Sequence, residues 1–142
     1  MEKTHQEHRG SAWRTQMKNT RNSTILIVDD TKTNVDILVQ TLTGDYKLGV
    51  ALNGKDAIRF AKDHHPNLIL LDIIMPQMDG FQVCWTLKSI PETRDIPIIF
   101  ITAMDNQAHR KKCFECGGVD YITKPFVAAE VKKKILAHMT PA

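Results

Sequence analysis

The segment that decides the fold runs from Asn67 to Gly80 and reads NLILLDIIMPQMDG. Its first four apolar residues follow one another without polar alternation, which is typical of a strand buried on both faces of a parallel sheet, although so short a run also fits a buried helix. Asp72 ends the run, and Pro76 and the Asp79-Gly80 pair favour a turn or a helix start just beyond it. Asp72 is therefore expected at the carboxyl end of a strand, where open α/β sheets bind their ligands.

The rest of the chain repeats the same alternation of strand, loop and helix. Four further strands are predicted at 24–28, 47–51, 96–101 and 119–123. Each strand precedes a segment with apolar residues at helical spacing, in which Asn53 is a candidate cap and Gly44 and Gly117 are candidate stops. The predicted inward helix faces comprise Val35, Leu38, Val39, Leu42, Ala57, Ile58, Ala61, Phe81, Cys84, Leu87, Val127, Val131 and Ile135. The fourth helix, predicted for about 106–116, has the thinnest apolar face.

Five strand–helix units in alternation predict an α/β fold with helices on both faces of a parallel sheet. Because crossover connections are right-handed, a chain of this size is expected to form a doubly wound, flavodoxin-like sheet of strand order 2-1-3-4-5.

Polar side chains stand at the carboxyl ends of four of these strands. They are Asp29, Asp30, Asp72, Thr102 and Lys124. Each residue alone has an ordinary explanation as a turn residue, a helix cap or a solvated charge. Because the carboxyl ends of parallel strands meet at one edge, three carboxylates, one hydroxyl and one ammonium should converge there. Their joint placement favours a functional site.

The chemistry of this set points to phosphoryl transfer. Carboxylates about 4 Å apart repel each other by roughly 4 kcal/mol at an effective dielectric near 20. A hard cation such as Mg²⁺ relieves this repulsion and commonly binds through one or two carboxylates together with phosphate oxygens. An ionised aspartate can attack phosphorus, while Lys124 and the Thr102 hydroxyl can stabilise the transferred group. The set predicts a magnesium-dependent aspartyl-phosphate site.

Four motifs resemble those of bacterial response regulator receiver domains of the chemotaxis-regulator type. The motifs are IVDD at 27–30, LDIIMPQMDG at 71–80, ITA at 101–103 and DYITKPF at 120–126. They occur in the family's order, and the resemblance covers about residues 24–139. It implies a phosphoacceptor in two-component phosphorelay signal transduction, which is not an enzyme beyond its own phosphorylation and dephosphorylation.

The resemblance also implies roles for the residues at the predicted site. Asp72 is expected to accept a phosphoryl group from a sensor histidine kinase or a histidine phosphotransfer protein. Asp29 and Asp30 are expected to hold Mg²⁺ together with Asp72 and the backbone carbonyl of Ile74.

Further residues are implied to carry the signal away from the site. Thr102 and Lys124 would contact the phosphoryl group, Tyr121 would switch its position together with Thr102, and Lys124-Pro125 would be a cis peptide bond. The output surface is expected on the fourth helix, fifth strand and fifth helix. A phosphorylation-dependent homodimer is a further partner expectation.

Two other functions fit the residues of the predicted site less well. A haloacid-dehalogenase-type phosphatase requires a second acid two residues after the nucleophile, where this chain has Ile74. A flavodoxin-type site requires a phosphate loop after the first strand, where Asp29 and Asp30 would repel phosphate. A receiver-fold interaction module, or a receiver fragment of a larger hybrid kinase or cyclic-nucleotide cyclase, remains the alternative.

Composition bounds these expectations. The 142 residues are 42% hydrophobic and suit one domain, predicted for 23–142. Residues 1–22 hold five basic and two acidic side chains, which accounts for the whole net charge of +3. These residues predict a flexible basic arm, and the neutral remainder favours no direct binding to nucleic acid. No apolar run is long enough to span a membrane, so a cytoplasmic location is expected.

The three cysteines, Cys84, Cys113 and Cys116, form no recognisable disulfide framework. The C-x-x-C spacing of Cys113 and Cys116 has no second pair to complete a zinc site. We expect small apolar side chains on one helix face, in a reducing compartment.

Overall fold

A computed structural model describes residues 22–139 of the chain. The five strands are β1 (Thr24–Val28), β2 (Lys47–Ala51), β3 (Leu68–Asp72), β4 (Ile98–Thr102) and β5 (Asp120–Thr123). The five helices are α1 (Lys32–Leu42), α2 (Gly54–His64), α3 (Gly80–Ser89), α4 (Gln107–Glu115) and α5 (Ala128–His138). Most of the basic arm predicted for 1–22 lies outside the described residues.

The strands form one parallel sheet of order β2-β1-β3-β4-β5, as the alternation of elements predicted. β1 and β3 are neighbours, with Val28 opposite Leu71. On the other side of β3, Asp72 lies opposite Ile101 of β4. The loops after β1 and β3 therefore leave the sheet side by side, and this places Asp29 and Asp72 together.

Both faces of the sheet are covered, which explains why the central strands are apolar without alternation. Leu26 and Val28 pack with residues of α2 and α3 and with Cys113 of α4, whereas Ile25 and Ile27 pack with α1 and α5. All five residues of β3 are buried. Burying a Leu or Ile side chain contributes roughly 1.5–3 kcal/mol, so this strand is a main source of fold stability.

Several helix boundaries follow the local sequence signals. The Asn53 side chain accepts a hydrogen bond from the backbone N–H of Asp56, and Asp79 does the same for Gln82 at the start of α3. Gly44 and Gly117 follow α1 and α4 with φ of 96° and 109°, values that favour glycine.

Three boundary predictions were wrong. The fourth strand was predicted from Ile96 but begins at Ile98, because Pro97 has no backbone N–H to donate to the ladder. Val127 was predicted on the inward face of α5 but precedes the helix and is 59% exposed. The fifth strand also begins one residue later than predicted, at Asp120.

α4 is the helix with the smallest buried face. Cys113 is its one buried residue, whereas α3 buries five. The thin apolar pattern predicted for this helix is confirmed, and its packing against the sheet is correspondingly weak.

Candidate functional site

The first carboxylate of the site is fixed by the edge of the sheet. Asp29 follows β1 directly, and its backbone N–H donates to the carbonyl of Ala51 over 3.2 Å. Its Oδ1 accepts a hydrogen bond from the backbone N–H of Thr31 over 2.9 Å. Asp29 is fully buried, whereas the adjacent Asp30 is exposed. One acid of the pair is thus held rigidly, and its neighbour reaches solvent.

Asp72 is the last residue of β3 and is 4% exposed. Lys124, which follows β5, places its ammonium Nζ 3.2 Å from Asp72 Oδ1 and 3.3 Å from Asp29 Oδ2. The contact with Asp72 is a hydrogen bond, whereas the one with Asp29 is an ion pair without hydrogen-bond geometry. A single cation therefore bridges the ends of β1 and β3.

The electrostatics of the site are dominated by crowded negative charge. Burial raises the pKa of Asp72 to about 6, the Asp29 carboxylate adds to the increase, and Lys124 opposes it. Lys124 therefore only partly offsets the cost of the buried carboxylates. In this arrangement Asp72 is mostly ionised at neutral pH but is not fully stabilised as an anion.

The three aspartates fit the binding of a hard divalent cation. Asp29, Asp30 and Asp72 each offer a carboxylate oxygen within 4.8 Å of the others, and they are the one such group among residues 22–139. Asp29 Oδ2 is buried and accepts no hydrogen bond. A buried carboxylate oxygen without a hydrogen-bond donor is costly, and a cation with oxygen ligands would satisfy it.

The loop after β3 is shaped by close backbone packing. The N–H of Gly80 donates to the carbonyl of Ile73 over 2.7 Å, and a Cβ at Gly80 would collide with the Asp72 carbonyl oxygen. Glycine is therefore required where α3 starts behind the acceptor strand. Ile74, between these two points, has a side chain that is 60% exposed.

Thr102 stands at the end of β4 but does not bind the carboxylates. It is 2% exposed, and its Oγ1 accepts a hydrogen bond from the N–H of Met104 over 2.8 Å. The oxygen therefore holds the start of the β4–α4 loop, whereas the hydroxyl hydrogen donates to the Met104 carbonyl over only 3.4 Å and can be turned to a group that enters the site. The Lys124-Pro125 peptide bond is cis, as predicted.

The ring of Tyr121 lies among cations that the sequence patterns did not identify. Lys134 Nζ lies 5.1 Å from the ring centroid, the Arg110 guanidinium carbon lies 5.8 Å from it, and Phe114 meets it edge-on at 6.3 Å. Cations within about 6 Å of an aromatic face are attracted to it. No local sequence motif links Arg110 and Lys134 to Tyr121, because they belong to α4 and α5 and approach the ring only in the folded chain.

The structure therefore brings Asp29, Asp30, Asp72 and Lys124 together, and it places Thr102 beside them at the same edge of the sheet. Tyr121 lies near the start of β5, against α4 and α5. None of the helices within residues 22–139 has both the length and the apolar character needed to span a membrane.

Comparison with known proteins agrees with this geometry. Residues 25–136 match the family described as the response regulator receiver domain. The response regulator PleD of Caulobacter vibrioides is 45% identical over 102 residues, which cover 71% of this chain but 22% of PleD. The chain thus spans about a fifth of the length of that relative.

Two solved structures of similar fold are parts of histidine kinases. A signal receiver domain from Syntrophus aciditrophicus is 37% identical with a TM-score of 0.72, over 81% of this chain and 90% of that one. The receiver domain of a sensor histidine kinase from Pseudomonas aeruginosa is 29% identical with a TM-score of 0.77, over 82% of this chain and 97% of that one. The latter is described with a magnesium ion coordinated in its active-site cleft.

Proposed function

We propose, because this chain belongs to the family of response regulator receiver domains, that Asp72 is the residue on which it accepts a phosphoryl group. Members of this family are signalling phosphoacceptor domains that interact with histidine kinases or phosphotransfer proteins. The observation that supports Asp72 is its position: it ends the central strand, next to Asp29 and within 3.2 Å of the Lys124 ammonium. Asp29 is fully buried and already accepts a backbone hydrogen bond, so it is the poorer nucleophile.

The proposed donor is a phosphohistidine of a sensor kinase or a histidine phosphotransfer protein. A carboxylate oxygen of Asp72 attacks the phosphorus, the P–N bond to the imidazole breaks, and the leaving nitrogen takes a proton. Lys124 balances part of the negative charge on the phosphoryl oxygens, and Thr102 can turn its hydroxyl hydrogen from the Met104 carbonyl to one of these oxygens. The chain catalyses only this transfer and the later hydrolysis.

Asp29, Asp30, Asp72 and the backbone carbonyl of Ile74 are the groups proposed to hold Mg²⁺. When bound, this ion supplies positive charge that neutralises the carboxylates and the incoming phosphoryl oxygens. The unsatisfied oxygen of Asp29 and the raised pKa of Asp72 support this assignment from the chain's own residues.

Phosphorylation is proposed to act through α4, β5 and α5. A phosphoryl group adds about two negative charges, which would draw the Thr102 hydroxyl and rearrange the loop that leads into α4. Because α4 buries one residue, its displacement should cost little free energy. A surface changed in this way can bind a partner or a second phosphorylated copy of the chain.

The test is phosphorylation of the purified protein with acetyl phosphate and Mg²⁺, followed by intact-mass measurement. The expected result is one added phosphoryl group on the wild type and none on Asp72→Asn. The matched control is Asp63→Asn, which removes an exposed carboxylate on α2 and should label normally. Labelling of Asp72→Asn at the wild-type level, or undiminished labelling in excess chelator, would contradict the assignment. A receiver-fold module without phosphoacceptor chemistry would show no labelling at all.

A further inference from the structure

A cavity of about 570 Å³ lies between α3 and α4, on the face of the sheet that carries α2 and beside the loop after β3. It is lined in part by Trp85, Lys112 and Cys116. Trp85 is 68% exposed, so the cavity opens to solvent. Cys116 is partly exposed here, in contrast to Cys84 and Cys113, which are buried. One cysteine of the three is therefore accessible to a small reagent.

Cys116 and Cys84 are in contact across the two helices. Cys84 lies within α3, and its Sγ lies 3.3 Å from the carbonyl oxygen of Cys116 at the end of α4. This contact places the Cys84 sulfur against Cys116.

The surroundings of Cys113, within α4, and of Cys116, which follows it, differ in a way that selects one of the two thiols. Hydrogen bonding from Cys84 lowers the pKa of the Cys116 thiol, and the nearby Lys112 ammonium acts in the same direction. Burial raises the pKa of Cys113 to about 11. Thiolates rather than thiols react with oxidants, so Cys116 is the more reactive sulfur.

A metal site does not explain the cluster. Among residues 22–139, the three aspartates are the one group of potential ligands whose atoms all lie within 4.8 Å of one another. The cysteine sulfurs are therefore not arranged around a common point where an ion would bind. A pair in contact, with one accessible member and one buried member, suits oxidation instead.

We propose that Cys116 and Cys84 form a peroxide-dependent disulfide that links α3 to the end of α4. The Cys116 thiolate attacks one oxygen of a hydroperoxide, the O–O bond breaks, and a sulfenic acid forms while the other oxygen leaves and is protonated. Cys84 is held as a thiol, because hydrogen bonding to Cys116 and burial raise its pKa. It gives up its proton as its sulfur attacks the sulfenic sulfur, the sulfenic hydroxyl leaves with that proton as water, and the S–S bond forms. With hydrogen peroxide, two thiols lose two electrons and two protons, and one peroxide becomes two waters.

The disulfide would restrain a helix that otherwise packs through little buried surface. Cys113 is the one buried residue of α4, and the bond would fix the C-terminal end of that helix to α3. The bond uses none of the residues of the acidic site, so oxidation is an input at α4 distinct from phosphorylation of Asp72.

The experiment treats the reduced full chain with hydrogen peroxide and then counts free thiols by alkylation and mass. We expect the count to fall from three to one, with no gain of oxygen mass. Cleavage after Glu115 separates Cys113 from Cys116, and cleavage after Lys88 and Arg94 separates Cys84 from both, so the linked peptides identify the bond. The expected product joins the peptide that contains Cys84 to the peptide that contains Cys116.

Variants make the assignment specific. Cys113→Ala is the control and should keep the intramolecular disulfide, whereas Cys84→Ser should lose it and accumulate oxidised Cys116. Circular dichroism of each variant checks that it is folded, and mapping of the wild type gives an answer even if a variant does not fold. Retention of three free thiols, a Cys113–Cys116 bond, or a bond between two chains would each overturn the proposal.

Discussion

Replacing Asp72 by asparagine should stabilise the metal-free protein at neutral pH. In the folded chain the pKa of Asp72 is about 6, against 3.8 for an unperturbed aspartate, and burial and Asp29 cause the increase. The folded state therefore binds this proton more tightly than the unfolded state does. The contribution of Asp72 to the free energy of unfolding is therefore fully present below pH 3.8 and is lost as the pH rises through 6.

The difference between the two pKa values corresponds to a loss of about 3 kcal/mol at pH 7 and above. Asparagine has nearly the same shape, carries no charge, and can still accept a hydrogen bond from Lys124. We therefore expect Asp72→Asn to be more stable than the wild type by about 2–3 kcal/mol at pH 7.5, and to differ little at pH 4.

Urea unfolding followed by circular dichroism, in chelator and at several pH values between 4 and 8, measures this difference. The control is Asp63→Asn, which removes an exposed carboxylate and should stay within about 0.5 kcal/mol of the wild type at each pH. Equal stability of Asp72→Asn and wild type from pH 5 to 8, or a less stable variant, would refute the claim that burial and Asp29 destabilise the ionised Asp72 carboxylate.

Three further predictions concern the metal, the lifetime of the phosphoryl group and the signal. Mg²⁺ should raise the melting temperature of the wild type, by the equivalent of about 2.7 kcal/mol at a hundredfold excess over its dissociation constant. Asp30→Ala should lose most of this rise, and an unchanged rise in this variant would place the ion elsewhere. Ile74 and Met104, two residues after Asp72 and Thr102, have exposed apolar side chains that cannot orient water, so the phosphoryl group should be long-lived. Replacing both, by Ile74→Asn and Met104→Glu, should hasten hydrolysis, measured as loss of label with time. Beryllofluoride, as a mimic of the phosphoryl group, should alter amide exchange within 105–126, and Tyr121→Ala should reduce that response. Changes confined to the loops around the acids would mean that α4 and β5 do not carry the output.

The five strands and the polar residues at their carboxyl ends followed from local patterns. The apolar run before Asp72 needs to be covered on both faces, and Gly80 is needed where α3 begins against the Asp72 carbonyl. These are requirements of single segments, so they can be recognised without knowing what lies across the sheet. The predictions at Pro97 and Val127 failed because the apolar pattern of the sequence extends beyond the element itself. The apolar run begins before the residues of β4 pair in the sheet, and Val127 comes before the first residue of α5.

Contacts between segments distant in the chain could not be predicted in this way. The sequence placed Lys124 at a strand end, but only the folded chain shows its ammonium between Asp72 and Asp29 at 3.2 and 3.3 Å. The same holds for the thiol of Cys84 against Cys116, which local spacing assigned to two separate helix faces.

By itself the sequence determined the five strand–helix units and the identity of the groups at the strand ends, because hydrophobic period and turn residues act within one segment. The parallel sheet and its strand order followed from the alternation of these units and the right-handedness of their crossovers. The tertiary structure alone decided how far each group is buried, which carboxylate lacks a hydrogen-bond donor and which cations flank Tyr121. Those properties set the pKa of Asp72 and the fit to a cation, and they depend on distances between side chains brought together from different strands and helices.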